Sequence, residues 1–195
     1  MTYGLLWFWW RVLPFVNLFP ICSPSLDLHQ PDNIGFDVRG DIKIFDFGLA
    51  KELHESSRLD NGLYKLTGDT GSPRYMAPEV ALGKPYNETC DVYSFAILTW
   101  QMLRCETPFE LYGSLKSFKT KVVEQGVRPG IDPKWPDDIS ELLRNAWSPD
   151  IAKRPSMDDA CETLRSAINR DTDEEIVEII DASRRSEMSL RNGAK

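Results

Sequence analysis

The sequence predicts a mainly α-helical domain that carries one short β-hairpin. Three observations point there. Two β-prone runs, "NIGFD" and "DIKIF", stand close together between residues 33 and 45. From Asp91 onward, apolar residues return at helical spacing in segment after segment. Between these regions, residues 51–76 are polar and hold Gly62, Gly68, Gly71 and Pro73, the composition of a long surface loop, and loops of such length usually carry function. One hairpin is too little strand for an α/β sheet protein.

Taken in order, the hairpin comes first, with "VRG" between its runs and Gly40 suited to the tight turn. The segment "DVYSFAILTWQML", 91–103, is apolar on nearly every side, which predicts a helix at the centre of the core. "SLKSFKTKVVEQG" places Leu115, Phe118 and Val122 on one face and stops at Gly126. Ile139, Leu142, Leu143, Ala146 and Trp147 form another buried stripe. "SMDDACETL" opens with a capping box from Ser156 to Asp159 and lines up Met157, Ala160, Leu164 and Ile168. "TDEEIVEII" has a second box, Thr172 to Glu175, with acidic residues where the helix dipole favours them. The polar end from about Glu187 predicts a frayed tail. Asn87 heads a glycosylation sequon, "NET", which reads here as the turn into the central helix with Thr89 near its cap.

The 195 residues suffice for one good-sized domain, divided as an apolar segment 1–24, a body 25–170 and a terminal helix with tail 171–195. A net charge of -7 offers no general basic surface for nucleic acid. Cys22, Cys90, Cys105 and Cys161 are scattered, without metal-ligand spacing to each other or to His29 and His54. They read as reduced, mostly buried thiols of a cytoplasmic protein. Residues 3–22, "YGLLWFWWRVLPFVNLFPIC", are dense in aromatics. Three readings stand open for them: a buried helix, a stretch foreign to the fold, or a membrane anchor, the last opposed by Arg11, Asn17, Pro14 and Pro20.

The chemistry centres on Asp46-Phe47-Gly48, directly after the second β-run. A carboxylate at a strand end suits a hard cation, and the glycine lets the chain turn. Ala77-Pro78-Glu79 follows, then Asp91 at the head of the apolar helix, then Arg154 in "KRPS". In that order and spacing, "PDNIGFD", "IKIFDFGLAK", "TGSPRYMAPEV", "CDVYSFAILTWQML" and "WSPDIAKRPSM" resemble the large C-terminal lobe of the eukaryotic protein kinases, from about Pro31 to about Ile168. "PDN" and "GSPRYMAPE" are similar to the serine/threonine branch, and within it to the tyrosine-kinase-like group.

The resemblance implies ATP and Mg²⁺ as cofactors and a protein with Ser or Thr hydroxyls as substrate. It implies that Asp46 and Asn33 hold magnesium, which neutralises the crowded phosphate oxygens. It makes 46–79 the activation segment, with Thr67, Thr70, Ser72 and Tyr64 as candidate phosphosites and Thr70 near the incoming hydroxyl. Glu79 and Arg154 become a buried ion pair, and Asp91 a hydrogen-bond acceptor for the catalytic-loop backbone. Taken singly, Asn33 also reads as a turn residue, Asp91 as a helix-start carboxylate and Arg154 as a surface arginine.

Two departures stand out. The family's catalytic loop reads H-R-D-L-K-P-x-N, whereas this chain has "SLDLHQPDN". Either Leu28 occupies the position of the catalytic base, or Asp27 does with one residue inserted. A base must stand within about 3 Å of its proton, and one residue of slip moves a Cα by about 3.8 Å. Residues 1–30 also hold no glycine-rich phosphate loop, strand lysine or helix glutamate of the small lobe. The expectation is therefore a truncated kinase domain without its N-terminal lobe, inactive or nearly so as given; the alternative is a non-catalytic kinase-like interaction module. The face left by the missing lobe is a candidate surface for association.

Overall fold

The computed structural model describes residues 31–39, 42–49, 51–68 and 72–170. Expectations for Cys22, Asp27, Gly40, Thr70, the apolar stretch 3–22 and the helix from Thr172 fall outside the described residues.

A single turn of 3₁₀ helix, Pro31–Asn33, leads into strand β1, Ile34–Phe36, which pairs antiparallel with β2, Ile42–Ile44. The register sets Ile34 opposite Ile44 and Phe36 opposite Ile42. Ile34 and Ile44 are the pair that packs on the core. Asp37 closes the hairpin end, its carboxylate accepting from the Arg39 backbone N–H at 2.8 Å and pairing with Lys43 at 3.7 Å.

Five α-helices follow among the described residues. Helix α1 is the short Pro78–Ala81, with Pro78 at the first position, where its missing N–H costs nothing. Helix α2, Thr89–Arg104, is the centre of the fold: Cys90 through Trp100 are buried without interruption. It starts two residues earlier than its apolar run, because the Asn87 side chain accepts from both the Thr89 N–H and the Thr89 hydroxyl. The sequon asparagine is thus the turn that starts the helix. Helix α3, Leu115–Phe118, is capped by Ser114 and passes into a π-helical stretch, Lys119–Glu124. Phe118, Val122 and Val123 are buried, but Leu115 is exposed. The stripe expected for Leu115 fails because that residue opens the helix directly after its cap, past the edge of the core.

Helix α4, Asp137–Ala146, buries Ile139, Leu142, Leu143 and Ala146, with Trp147 following. Helix α5 covers 157–170. Its capping box forms as the sequence predicts: Asp159 N–H donates to Ser156 Oγ at 3.1 Å and Ser156 N–H to Asp159 Oδ2 at 3.3 Å. Ala160, Leu164 and Ile168 are buried, while Met157 is only partly so.

Two further expectations need correction. Cys105 is exposed, since it sits past the end of α2 in the left-handed region (φ 55°), where its side chain leaves the core; Cys90 and Cys161 are buried. The segment 51–76 is not surface throughout: Tyr64 and Tyr75 are buried. Their rings supply the apolar area that fixes an otherwise polar segment to the body.

Candidate functional site

The hairpin brings the two metal-candidate residues to one end. Phe45 N–H donates to Asn33 C=O at 2.8 Å, extending the pairing one step beyond Ile34 and Ile44. Asp46 is the next residue, so it leaves the hairpin beside Asn33. Asn33 is buried and Asp46 is exposed. Asp46 has φ 57°, a conformation that non-glycine residues seldom adopt and that aspartate tolerates better than most. Such strain concentrates at functional sites. Its Oδ1 accepts from the Gly48 N–H at 3.2 Å. A Cβ on Gly48 would stand 3.0 Å from that same oxygen, so the glycine leaves the carboxylate its room.

An exposed carboxylate and a neighbouring amide carbonyl are hard oxygen donors of the kind magnesium takes. Among the described residues no group of three or more His, Cys, Asp or Glu gathers as a self-sufficient metal cage. The donor set present suits a hard cation such as Mg²⁺.

The activation-segment candidates divide. Thr67 is exposed, and its Oγ1 accepts a hydrogen bond from Lys51 Nζ. Its carbonyl accepts from the Tyr86 hydroxyl at 3.0 Å. Ser72 is half-buried and its carbonyl accepts from the Tyr75 N–H. Tyr64 is buried and bridged to Arg58 and Tyr86, which removes it from the accessible phosphosites.

The end of the segment is fastened to α2. Ser94 Oγ donates to the Tyr75 carbonyl at 2.7 Å, Tyr75 hydroxyl donates to Gln101 Oε1, and Arg74 Nη1 donates to Pro108 C=O at 2.7 Å. Burial pushes the Tyr75 hydroxyl up to about 12, so it stays protonated and remains a donor.

Below these anchors lies the pair the sequence predicts. Arg154 Nη1 and Nη2 donate to Glu79 Oε1 and Oε2 at 2.6 and 2.8 Å, both side chains buried. The guanidinium also donates to Ser148 C=O at 2.9 Å and Thr89 C=O at 3.1 Å. It is no surface arginine. Asp91 is buried in the first turn of α2; the loop it is expected to meet begins before Pro31.

Sequence reasoning missed Tyr93, whose ring has two guanidiniums within cation–π distance, Arg128 at 5.1 Å and Arg154 at 5.3 Å from its centroid. Burial raises the Tyr93 hydroxyl's pKa and keeps it neutral. It also missed Lys51, Ser94 and Gln101. Each acts on a partner at least 16 residues away, and no local spacing reports such a contact.

Comparison with known families matches residues 26–164 to the protein kinase domain. Among similar proteins, Serine/threonine-protein kinase STY17 of Arabidopsis thaliana is 35% identical over 143 residues, 73% of this chain and 24% of its own length. Dual specificity protein kinase shkB of Dictyostelium discoideum is 38% identical over 132 residues, 67% of this chain and 19% of its own. Serine/threonine-protein kinase VIK of Arabidopsis thaliana is 39% identical over 124 residues, 63% of this chain and 27% of its own. The chain thus spans roughly a quarter or less of these relatives' length. The match to the protein kinase domain over residues 26–164, more than half of the chain, shows that this chain belongs to the protein kinase family.

Proposed function

We propose that this chain is the magnesium-holding and substrate-facing part of a serine/threonine protein kinase of the tyrosine-kinase-like group, and that as given it transfers phosphate weakly or not at all. The observation that carries the reading is the Phe45–Asn33 hydrogen bond, which delivers Asp46 beside Asn33 at the end of the hairpin. Asp46 and Asn33 would hold Mg²⁺ with ATP. When bound, the ion neutralises charge on the transferred phosphoryl group. The chain's own part is to aim the Asp46 carboxylate through the Gly48 N–H and to seat the activation segment on α2 through Ser94, Gln101, Glu79 and Arg154. The substrate would be a protein hydroxyl reaching the segment near Thr70, with Asp27 as candidate base. We place the protein in the cytoplasm.

Weak activity is supported by the run "SLDLHQPDN", in which either Leu28 stands at the base position or Asp27 does one place out of register. The test is transfer of labelled phosphate from Mg·ATP to a mixed Ser/Thr protein substrate by the full chain, beside Asp46→Ala. The expected result is incorporation at background level in both. Incorporation that Asp46→Ala abolishes overturns the inactivity and makes the chain an enzyme on its own. A second reading, a non-catalytic interaction module, rests on the damaged "SLDLHQ" run; it requires that nucleotide binding be indifferent to Asp46.

A further inference from the structure

The stretch that follows α2 turns two leucines outward. Phe109 and Phe118 are buried and their rings meet edge to face at 5.4 Å, which holds the 3₁₀ turn Glu110–Tyr112 against α3. Leu111 and Leu115 lie on the outside of that junction, 91% and 74% exposed. Lys116 and Lys119 follow Leu115 and are exposed as well. Neither lysine pairs with a carboxylate among the described residues. Between 109 and 123 the chain holds three lysines against Glu110 alone. In a chain of net charge -7, this is a local positive field around two bare leucines. An apolar centre with a charged rim is the anatomy of a contact surface.

We propose that residues 171–181 of this same chain, "DTDEEIVEIID", dock on Leu111 and Leu115, guided by the lysines. The segment carries six carboxylates and no cation. Its capping box, Thr172 to Glu175, predicts a helix with Ile176, Ile179 and Ile180 on one face and Asp173 and Glu175 beside it. Charges of opposite sign thus flank apolar side chains on the two partners. The other apolar stretch of the chain, 3–22, brings Arg11 and no carboxylate, so the lysines select against it. The segment also starts at the right end of the body. Helix α5 stops at Arg170, which donates to Asp138 at the start of α4 at 3.0 Å. Just ahead of α4, Asp132 accepts from Arg104, the last residue of α2, at 3.2 Å, and Arg104 donates to Glu106 at 2.7 Å. From Glu106 the chain runs at most about 16–18 Å to Leu111. From Arg170 to Ile180 it spans about 15 Å as a helix and up to about 33–36 Å extended, so the tail has the reach. A tether of that length holds the segment at roughly millimolar effective concentration, which no separate partner shares. The inference concerns only how this surface is covered and does not depend on phosphoryl transfer.

The test uses the full chain with p-benzoylphenylalanine in place of Leu115. The expected product of irradiation is an intramolecular crosslink to a peptide within 171–181, found at monomer mass. Crosslinks joining two chains, crosslinks to 3–22 or to any other peptide, or reaction with solvent alone each overturn the proposal. A second measurement avoids the unnatural residue. Hydrogen exchange at 176–181 in the full chain is expected to quicken at least tenfold in the double variant Lys116→Glu, Lys119→Glu, while exchange at 139–146 in α4 stays as in wild type and reports an intact body. Unchanged exchange at 176–181 overturns the proposal as well.

Discussion

Arg154 and Glu79 stand 75 residues apart in the chain and meet through two parallel hydrogen bonds of 2.6 and 2.8 Å in the buried interior. The contact ties α1, which carries Glu79, to the body just before α5. Removing one partner leaves a buried charge without its counter-ion, which typically costs about 3–5 kcal/mol. Glu79→Gln and Arg154→Leu are each expected to lower stability by that amount in urea unfolding. The double variant should cost clearly less than the sum, because the second change removes the orphaned charge. Additive costs would show that the two side chains do not act as a pair.

Gly68 sets how closely the 51–68 segment approaches α1. A Cβ there would stand 2.6 Å from Gly83 Cα and 2.8 Å from Val80 O, both backbone atoms that no rotamer can move aside. Gly68→Ala is expected to cost roughly 1–3 kcal/mol by overpacking and to weaken the Tyr86–Thr67 hydrogen bond beside it. Denaturation curves and exchange rates at 64–68 measure both effects. Wild-type behaviour in both would mean that the segment does not lie against Gly83.

The described cysteines should separate by reactivity. Burial pushes the Cys161 thiol up to about 11, so at pH 8 it stays protonated, and only thiolates alkylate readily. Cys105 is exposed at the end of α2. Brief iodoacetamide treatment of the native chain is expected to label Cys105 and spare Cys90 and Cys161 until denaturant is added. Peptide mass mapping reads the outcome, and early labelling of Cys161 would contradict the packing of α5.

Asp138 and Arg170 join the start of α4 to the far end of α5 at 3.0 Å. The hydrogen bond from Arg170 holds the Asp138 carboxyl below its ordinary range. A depressed carboxyl pKa adds stability that is fully present above the unfolded value, near about 3.9, and disappears as pH falls through the folded value. The pair is solvent-screened, so the contribution is at most about 1 kcal/mol. Asp138→Asn should melt slightly lower than wild type at pH 6, and the two should converge as pH falls well below the ordinary carboxylate range. A gap that persists in acid would assign the effect to packing instead.

Much of the fold was legible because local rules and tertiary packing agree. The central helix was visible in an apolar run with no polar face, and α5 in a capping box that forms as written. Leu115 shows the limit of periodicity, which gives a direction around a helix but not where the core ends. Cys105 shows the same at a terminus, where one left-handed residue turns a side chain outward. The Glu79–Arg154 contact was readable from motif order. Tyr93, Lys51, Ser94 and Gln101 were not, since their roles arise from long-range contacts that spacing does not encode.

We propose that the hairpin end is a magnesium–nucleotide site built on Asp46 and Asn33. Electron paramagnetic resonance of Mn²⁺, a magnesium substitute, tests it most directly when the full chain is titrated with and without ATP. Bound Mn²⁺ is expected to require ATP and to weaken at least tenfold in Asp46→Ala and in Asn33→Ala, with far-UV circular dichroism unchanged. Mn²⁺·ATP binding of equal strength in wild type and in both variants would contradict it.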